Sequence, residues 1–300
     1  MENIFGSVHY NSIAVWMRER FGCRVVKLAL DGGFTCPNRD GHCGTGGCIY
    51  CSDSGSGDFA SNIPGQISLI SRKWPDAKYL AYFQSHTNTY ASVERLRELW
   101  DDALSYPDVV GLAIATRPDC LPDDVLELLS EYNERTFLWV ELGLQTMRDD
   151  TAVFLNRCYE TRVFAEAMEK LKKRGIRVVV HEILGLPGED ASDGLKTALY
   201  AASFEPFGMK FHMLHVMEGT RLGELYKEAP FQIMSKEEYV STVVDILERL
   251  PQPITIHRLT GDAPQSALLA PEWTRNKHVV LGAIQHEFSV RKSFQGKALE

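Results

Sequence analysis

Residues 25–51 read VVKLALDGGFTCPNRDGHCGTGGCIYC, a largely apolar hexapeptide, Val25–Leu30, running into a loop of glycines and cysteines. Six such residues bounded by turn formers have the length and composition of a buried strand. The loop holds Cys36, Cys43, Cys48 and Cys51 within sixteen residues. Outward from this point, strand-length runs alternate with helical patterns. Further strands are expected at Tyr79–Gln84, Val109–Ala115, Thr136–Gln145, Ile176–Ile183 and Met209–Val216. Helices are expected near Ile67–Lys73, at Ser92–Leu104 and at Pro122–Tyr132, the last opened by a proline in its first turn. Val163, Ala167 and Leu171 mark another, closed by basic residues and Gly175. Ser192–Phe204 follows, and Ser235 with Glu238 forms a capping box for a helix reaching Leu250.

Six β-α units in order imply an α/β fold, a parallel sheet with helices outside it. Six are too few for the closed eight-unit barrel and allow an open barrel or a doubly wound sheet. In both, the active site lies at the C-terminal ends of the strands. That is where the cysteine loop sits. Residues 251–300 break the pattern, with prolines at 251, 253, 264 and 271 and little periodicity, and are expected to form an extension packed on a catalytic unit of residues 1–250.

The 300 residues are 44% hydrophobic and 24% charged, with a net charge of −8. No apolar stretch reaches the length of a membrane span, and the N-terminus lacks the basic start of a signal peptide. No membrane partner and a cytoplasmic location are expected. The acidity is concentrated: residues 92–150 carry fourteen acids against five basic residues. Local basic surface therefore remains open to the rest of the chain. The basic residues Arg275, Lys277, Arg291, Lys292 and Lys297 are expected to be solvated surface.

An odd count of seven cysteines, without a signal peptide, argues against a disulfide framework. Their clustering reads as metal chemistry. Cys48 and Cys51 form C-x-x-C, and Cys36 lies eleven intervening residues upstream, across glycines that let the backbone fold back. Four ligands, Cys36, Cys43, Cys48 and Cys51, would make a closed structural zinc site in a nucleic-acid-binding protein. Three would hold a [4Fe–4S] cluster with one iron open. The count does not decide; the position after the first strand favours an active site.

The ordered series GGFTCPNRDG (32–41), GGCIYC (46–51), YFQSHTNTY (82–90), ATRPDCLP (115–122), ELGLQT (141–146), NRCY (156–159), HEILGLPGE (181–189) and KFHMLHVMEGT (210–220) resembles the radical SAM proteins of the YtqA/YhcC (MnmL) type, relatives of the elongator catalytic subunit. The resemblance runs from about residue 5 to 295. It implies a partial (β/α)6 barrel. Cys36, Cys48 and Cys51 would hold a [4Fe–4S] cluster, with Cys43 a non-ligand. S-adenosylmethionine (SAM) would chelate the open iron and be cleaved reductively to a 5′-deoxyadenosyl radical. Tyr50 would lie against the adenine, Ser85 and Thr87 in the segment that binds the amino end of SAM, and Gln145 and Arg157 on its ribose and carboxylate. His181 stands where related enzymes carry an acid near the adenosine. Ala115 stands where many relatives have a glutamate that contacts SAM, and Cys158-Tyr159 replaces a Gly-His pair. No residue is assigned as catalytic.

The same resemblance implies tRNA as substrate, its wobble uridine side chain being converted from 5-carboxymethylaminomethyl to 5-aminomethyl, with a reductant such as flavodoxin or ferredoxin. The alternatives are radical chemistry on a metabolite or protein, or the zinc-stabilised nucleic-acid-binding protein. His212 and His215 are expected as core or surface histidines, and Cys120 and Cys158 as small buried side chains.

Overall fold

The computed structural model describes residues 3–55 and 57–299. Its strands are β1 (Val25–Leu30), β2 (Lys78–Phe83), β3 (Val109–Thr116), β4 (Phe137–Gln145), β5 (Arg177–Leu184), β6 (Gly208–Met213), β7 (Val216–Met217), β8 (Thr255–Arg258) and β9 (Leu268–Ala270). The helices are α1 (Ile13–Phe21), α2 (Ile63–Ser71), α3 (Val93–Ser105), α4 (Asp123–Arg135), α5 (Asp149–Phe154), α6 (Thr161–Lys173), α7 (Ala191–Ala202), α8 (Arg221–Glu228), α9 (Lys236–Arg249) and α10 (Lys277–Arg291). The main sheet has the order β1-β2-β3-β4-β5-β6-β8, every neighbour parallel, and curls into a partial barrel. Sequential order and parallel pairing follow from the right-handed β-α-β crossovers.

The six strands read from the sequence form within one or two residues of their expected bounds, except the sixth. β6 stops at Met213; the chain then turns off the sheet, and Val216–Met217 pairs antiparallel with Leu268–Ala270. A seventh parallel strand comes from the proline-rich tail, where Thr255 and Ile256 pair with Gly208 and Met209. Four residues after Pro253 are too short for a periodic signal.

Helix packing follows the apolar spacing. In α3, Leu96, Trp100 and Ala103 recur at helical intervals and are wholly buried against the sheet. Each large side chain buried this way contributes about 1.5–3 kcal/mol. The convex layer joins these to Leu126, Phe164, Val180, Phe211 and Val243. A separate cluster fills the bottom of the concave side: Leu80, Tyr82, Trp139 and Val179 from the strands meet Met17, with Trp16 and Phe21, from α1. α1 thereby plugs the barrel where it is open, and the backbone of Asn11 accepts from the Ile256 N–H at 2.7 Å beside it. The bottom is closed by apolar packing. The top, at the strand C-termini, is left open.

Candidate active site

The cysteine loop is tied down before any ligand arrives. Asn156 Nδ2 donates to the carbonyls of Thr45 (3.0 Å) and Gly47 (2.7 Å). The Ile49 N–H donates to Leu155 O at 3.1 Å, and Ile49 O accepts from the Leu222 N–H at 2.8 Å. Gly47 takes φ 77°, a left-handed conformation that favours glycine, and a Cβ there would lie 2.7 Å from the Arg39 side chain, which would have to move.

Cys36, Cys48 and Cys51 line one cavity of about 570 Å³. Their sulfurs face donors: Thr87 Oγ1 to Cys36 at 3.1 Å and Asn38 Nδ2 to Cys48 at 3.4 Å, with His86 Nδ1 3.9 Å from Cys36. The Cys51 thiol, and then Asn38, Arg117 and Tyr50, pull Cys48 down to about 6 against its burial. Burial raises the Cys36 thiol despite Thr87, and Cys48, then burial, raise Cys51, so of the three it is Cys48 that the donors hold toward thiolate, the form a cluster needs. Three half-buried thiols on one wall, beside two arginines and amide and hydroxyl donors, fit a cluster. Cys43 is elsewhere. It lies on a second cavity of about 840 Å³ across the loop, with Arg117 Nη2 at 3.9 Å.

The remaining expected residues divide. Tyr50, Thr87, Gln145, Arg157 and His181 line the cysteine cavity. Ser85 does not: its hydroxyl is buried where a Cβ on Gly57 would touch it at 1.8 Å. Thr87 spends its hydroxyl on Cys36. Gln145 ends β4 in the left-handed region (φ 61°), its Oε1 accepting from Tyr159 at 3.1 Å. Arg157 is 1% exposed, and all five of its N–H groups are engaged: with the carbonyls of Leu144 (2.6 Å), Thr146 (2.7 Å) and Tyr159 (3.1 Å), with Thr161 Oγ1 (3.2 Å) and with Asp149 (3.4 Å). It is a clamp on the turn after β4. Its guanidinium and that of Arg117 both sit over the Tyr159 ring, at 4.5 and 4.9 Å. NRCY thus works as one unit: Asn156 fixes the loop, Arg157 the turn, and Tyr159 the ring between two cations.

A buried ionic network deeper in the cavity was not singled out in the sequence. Glu141, on β4, takes Trp139 Nε1 at 3.0 Å, His181 Nε2 at 2.9 Å, Lys27 Nζ at 3.3 Å and Lys210 Nζ. Burial pushes the Glu141 carboxyl up, but Lys210, Lys27 and His181 together outweigh it and hold it well below the usual carboxylate range. His181 is pushed down to about 4 by burial, and then by Lys210, so its ring is neutral near pH 7. Nε2 therefore carries the proton given to Glu141, and Nδ1 is an acceptor. Glu141 pairs in register with Ala115, so the acid missing from β3 stands one strand over at the same level.

The tail supplies the remaining wall. Arg258, Asp262 and Lys277 line the cavity, as do His212 and His215. Lys277 is therefore site-facing. Arg275 and Arg291 are structural clamps, donating to Gln265 and Leu268 carbonyls and to Asp245, Glu287 and Ser241. The cavity wall carries six arginine and lysine side chains against three carboxylates, in a chain of net charge −8. Among the described residues, no helix is long and apolar enough to cross a membrane.

A curled parallel sheet with three of the four cysteines of the loop after its first strand on one cavity points to a class, and the comparisons agree. The radical SAM superfamily model matches residues 40–201 and the Radical SAM C-terminal domain model residues 206–289. The chain belongs to the radical SAM superfamily, and so is an enzyme whose cofactors are a [4Fe–4S] cluster and SAM. It is 47% identical over 296 residues to the uncharacterized protein YtqA of Bacillus subtilis, covering 96% of this chain and 92% of that one. Protein YhcC of Escherichia coli is 35% identical over 292 residues, 94% of each chain. Among solved structures, the archaeal Methanocaldococcus infernus Elp3 shares the fold, with a TM-score of 0.68 at 19% identity, over 89% of this chain and 63% of that one.

Proposed function

We propose that this radical SAM enzyme modifies the wobble uridine of tRNA, converting a 5-carboxymethylaminomethyl side chain to 5-aminomethyl, with a flavodoxin or ferredoxin as electron donor. The observation that carries the radical reading is the separation of Cys36, Cys48 and Cys51, on one cavity, from Cys43, on another. Three ligands leave an open iron; the four-cysteine zinc site would need Cys43 with the rest. The tRNA reading is supported by the family resemblance and by the basic cavity wall, which suits a polyanion better than the chain's net charge does.

When bound, the cluster and SAM supply a radical able to take hydrogen from an unactivated carbon. The chain's own residues prepare the site for it. Thr87, Asn38 and His86 hold the sulfurs, and Asn156 holds the loop that carries them. Tyr50, Gln145 and the Nδ1 acceptor of His181 are assigned to SAM. Arg157 acts on SAM only by fixing the turn that presents Gln145. Glu141 fixes His181 and the two lysines.

The test is anaerobic reconstitution with iron and sulfide, then SAM and dithionite, with 5′-deoxyadenosine measured. Production lost in Cys36→Ala, Cys48→Ala or Cys51→Ala and kept in Cys43→Ala is expected. Loss in all four variants, with one zinc bound per chain, would refute the three-ligand site. For the substrate, tRNA carrying the 5-carboxymethylaminomethyl group is digested after turnover. Absence of the 5-aminomethyl nucleoside alongside normal 5′-deoxyadenosine would reject tRNA and keep the radical chemistry.

A further inference from the structure

Three of the four arginines on the cavity wall are used differently. Arg157 has spent its whole fork inside the protein. Arg117 sets its fork on Asp119, Nε at 2.9 Å and Nη2 at 2.7 Å. Arg258, the last residue of β8, makes one ionic contact among the described residues, Nη2 to Asp262 at 3.5 Å. That is too long for a good hydrogen bond. Asp262 is already held by Lys277 Nζ at 2.8 Å. Two cations therefore share one carboxylate, and most of the Arg258 donors are unspent among the described residues, on a side chain that lines the cavity and is 36% exposed. Lys277 opens α10, so the positive end of that helix adds to the same field.

We propose that Arg258 is the receptor for an oxyanion of the substrate, with Asp262, itself held by Lys277, as the carboxylate beside its guanidinium. The ligand is a carboxylate or a phosphate, because a planar fork of N–H donors matches two oxygens of either at once. Under the proposed function SAM is not that ligand: its carboxylate would be taken by the open iron held by Cys36, Cys48 and Cys51 on the loop after β1, whereas Arg258 ends β8, the last strand in the sheet order. His212 and His215, on the same wall, are held neutral by burial and so add polar contacts without charge. The inference deepens the tRNA reading, under which the oxyanion comes from one of two sources: the carboxylate on the modified base or a backbone phosphate beside it.

The test uses the wild-type chain and phenylglyoxal, which modifies arginines with free donors, followed by peptide mapping at Arg258. The probes are uridine, uridine 5′-phosphate and the nucleoside 5-carboxymethylaminomethyluridine, each at millimolar concentration. Labelling of Arg258 is expected to slow at least about fivefold with one or both anionic probes and not with uridine. Protection by the phosphate alone assigns a backbone phosphate; protection by the carboxylate nucleoside alone assigns the base. Equal labelling under all conditions overturns the proposal. In parallel, Arg258→Gln is expected to weaken binding of an anticodon hairpin about tenfold and Arg258→Lys to restore part of it; wild-type binding by a folded Arg258→Gln also overturns it. If wild-type enzyme forms no 5′-deoxyadenosine, the radical reading has failed, and the labelling result judges the anion site on its own.

Discussion

Replacing Glu141 by glutamine removes one charge from the centre of the buried network. Glu141 is wholly buried, and the Lys210 side chain is 3% exposed. In Glu141→Gln the Lys210 amine, which burial pushes well below the usual lysine range, loses the carboxylate that opposes that shift and meets an amide; Lys27 loses its counter-charge as well, while His181, a neutral donor, loses only the charge on its acceptor. Lys27, with a side chain 30% exposed, can turn to water; Lys210 cannot. Removing one partner of a buried pair costs about 3–5 kcal/mol, mainly through the stranded charge. At about 2 °C per kcal/mol for a chain of this size, the melting temperature falls by roughly 6–10 °C. The double variant Glu141→Gln/Lys210→Met removes the stranded charge and recovers at least about half of the loss, because the two residues are in direct contact. Thermal unfolding followed by circular dichroism at pH 7.5, on preparations of equal iron content, measures both. A single variant melting within about 2 °C of wild type refutes the reasoning. So does a double variant no more stable than the single.

Other consequences follow from the same chemistry. His181 and His215 are held neutral, each down to about 4, so the unfolded chain takes up protons between pH 6.5 and 4 that the folded chain refuses. The contribution of these histidines is complete above pH 6.5 and falls below it by up to about 1.4 kcal/mol per pH unit for each; urea midpoints for His181→Gln that track wild type from pH 7.5 to 5 would count against this. Glu182 behaves oppositely: burial, with Glu189 beside it, raises its carboxyl well above the usual range, and its oxygens have no hydrogen-bond partner among the described residues. The folded chain keeps that proton, so wild type loses stability as pH rises, and Glu182→Gln melts higher at pH 8 with little change at pH 4.5. Equal melting of the two proteins at pH 8 would refute it. Asn156→Ala removes two hydrogen bonds from the cysteine loop, about 1–3 kcal/mol in all, and iron retained per chain after reconstitution and desalting is expected to drop by at least half.

The parallel α/β order was legible because strands and helices repeat with different periods, and local spacing reports them directly. The cysteine loop was legible because C-x-x-C and its glycines lie close together in sequence; Tyr50, Gln145 and His181, singled out by the resemblance, line the same cavity, which is proposed to hold SAM. Other roles depended on partners remote in sequence. Arg157 looked like a ligand-facing arginine until the turn after β4 folded onto its fork. Ser85 and Thr87, two residues apart, received different surroundings, Gly57 for one and Cys36 for the other. Glu141 has no local signature at all: its neighbours come from positions 27, 181 and 210, and only the curl of the sheet brings three strands' inward side chains to one point. Arg258 lies in a tail without periodicity, and it faces the cavity because β8 pairs with β6. The sequence alone determined which elements form and which residue types can carry metal chemistry, since both are set within a few residues. Tertiary structure decided which charges are paired, which are spent and which remain free, because pairing depends on distances across the barrel that no local pattern encodes.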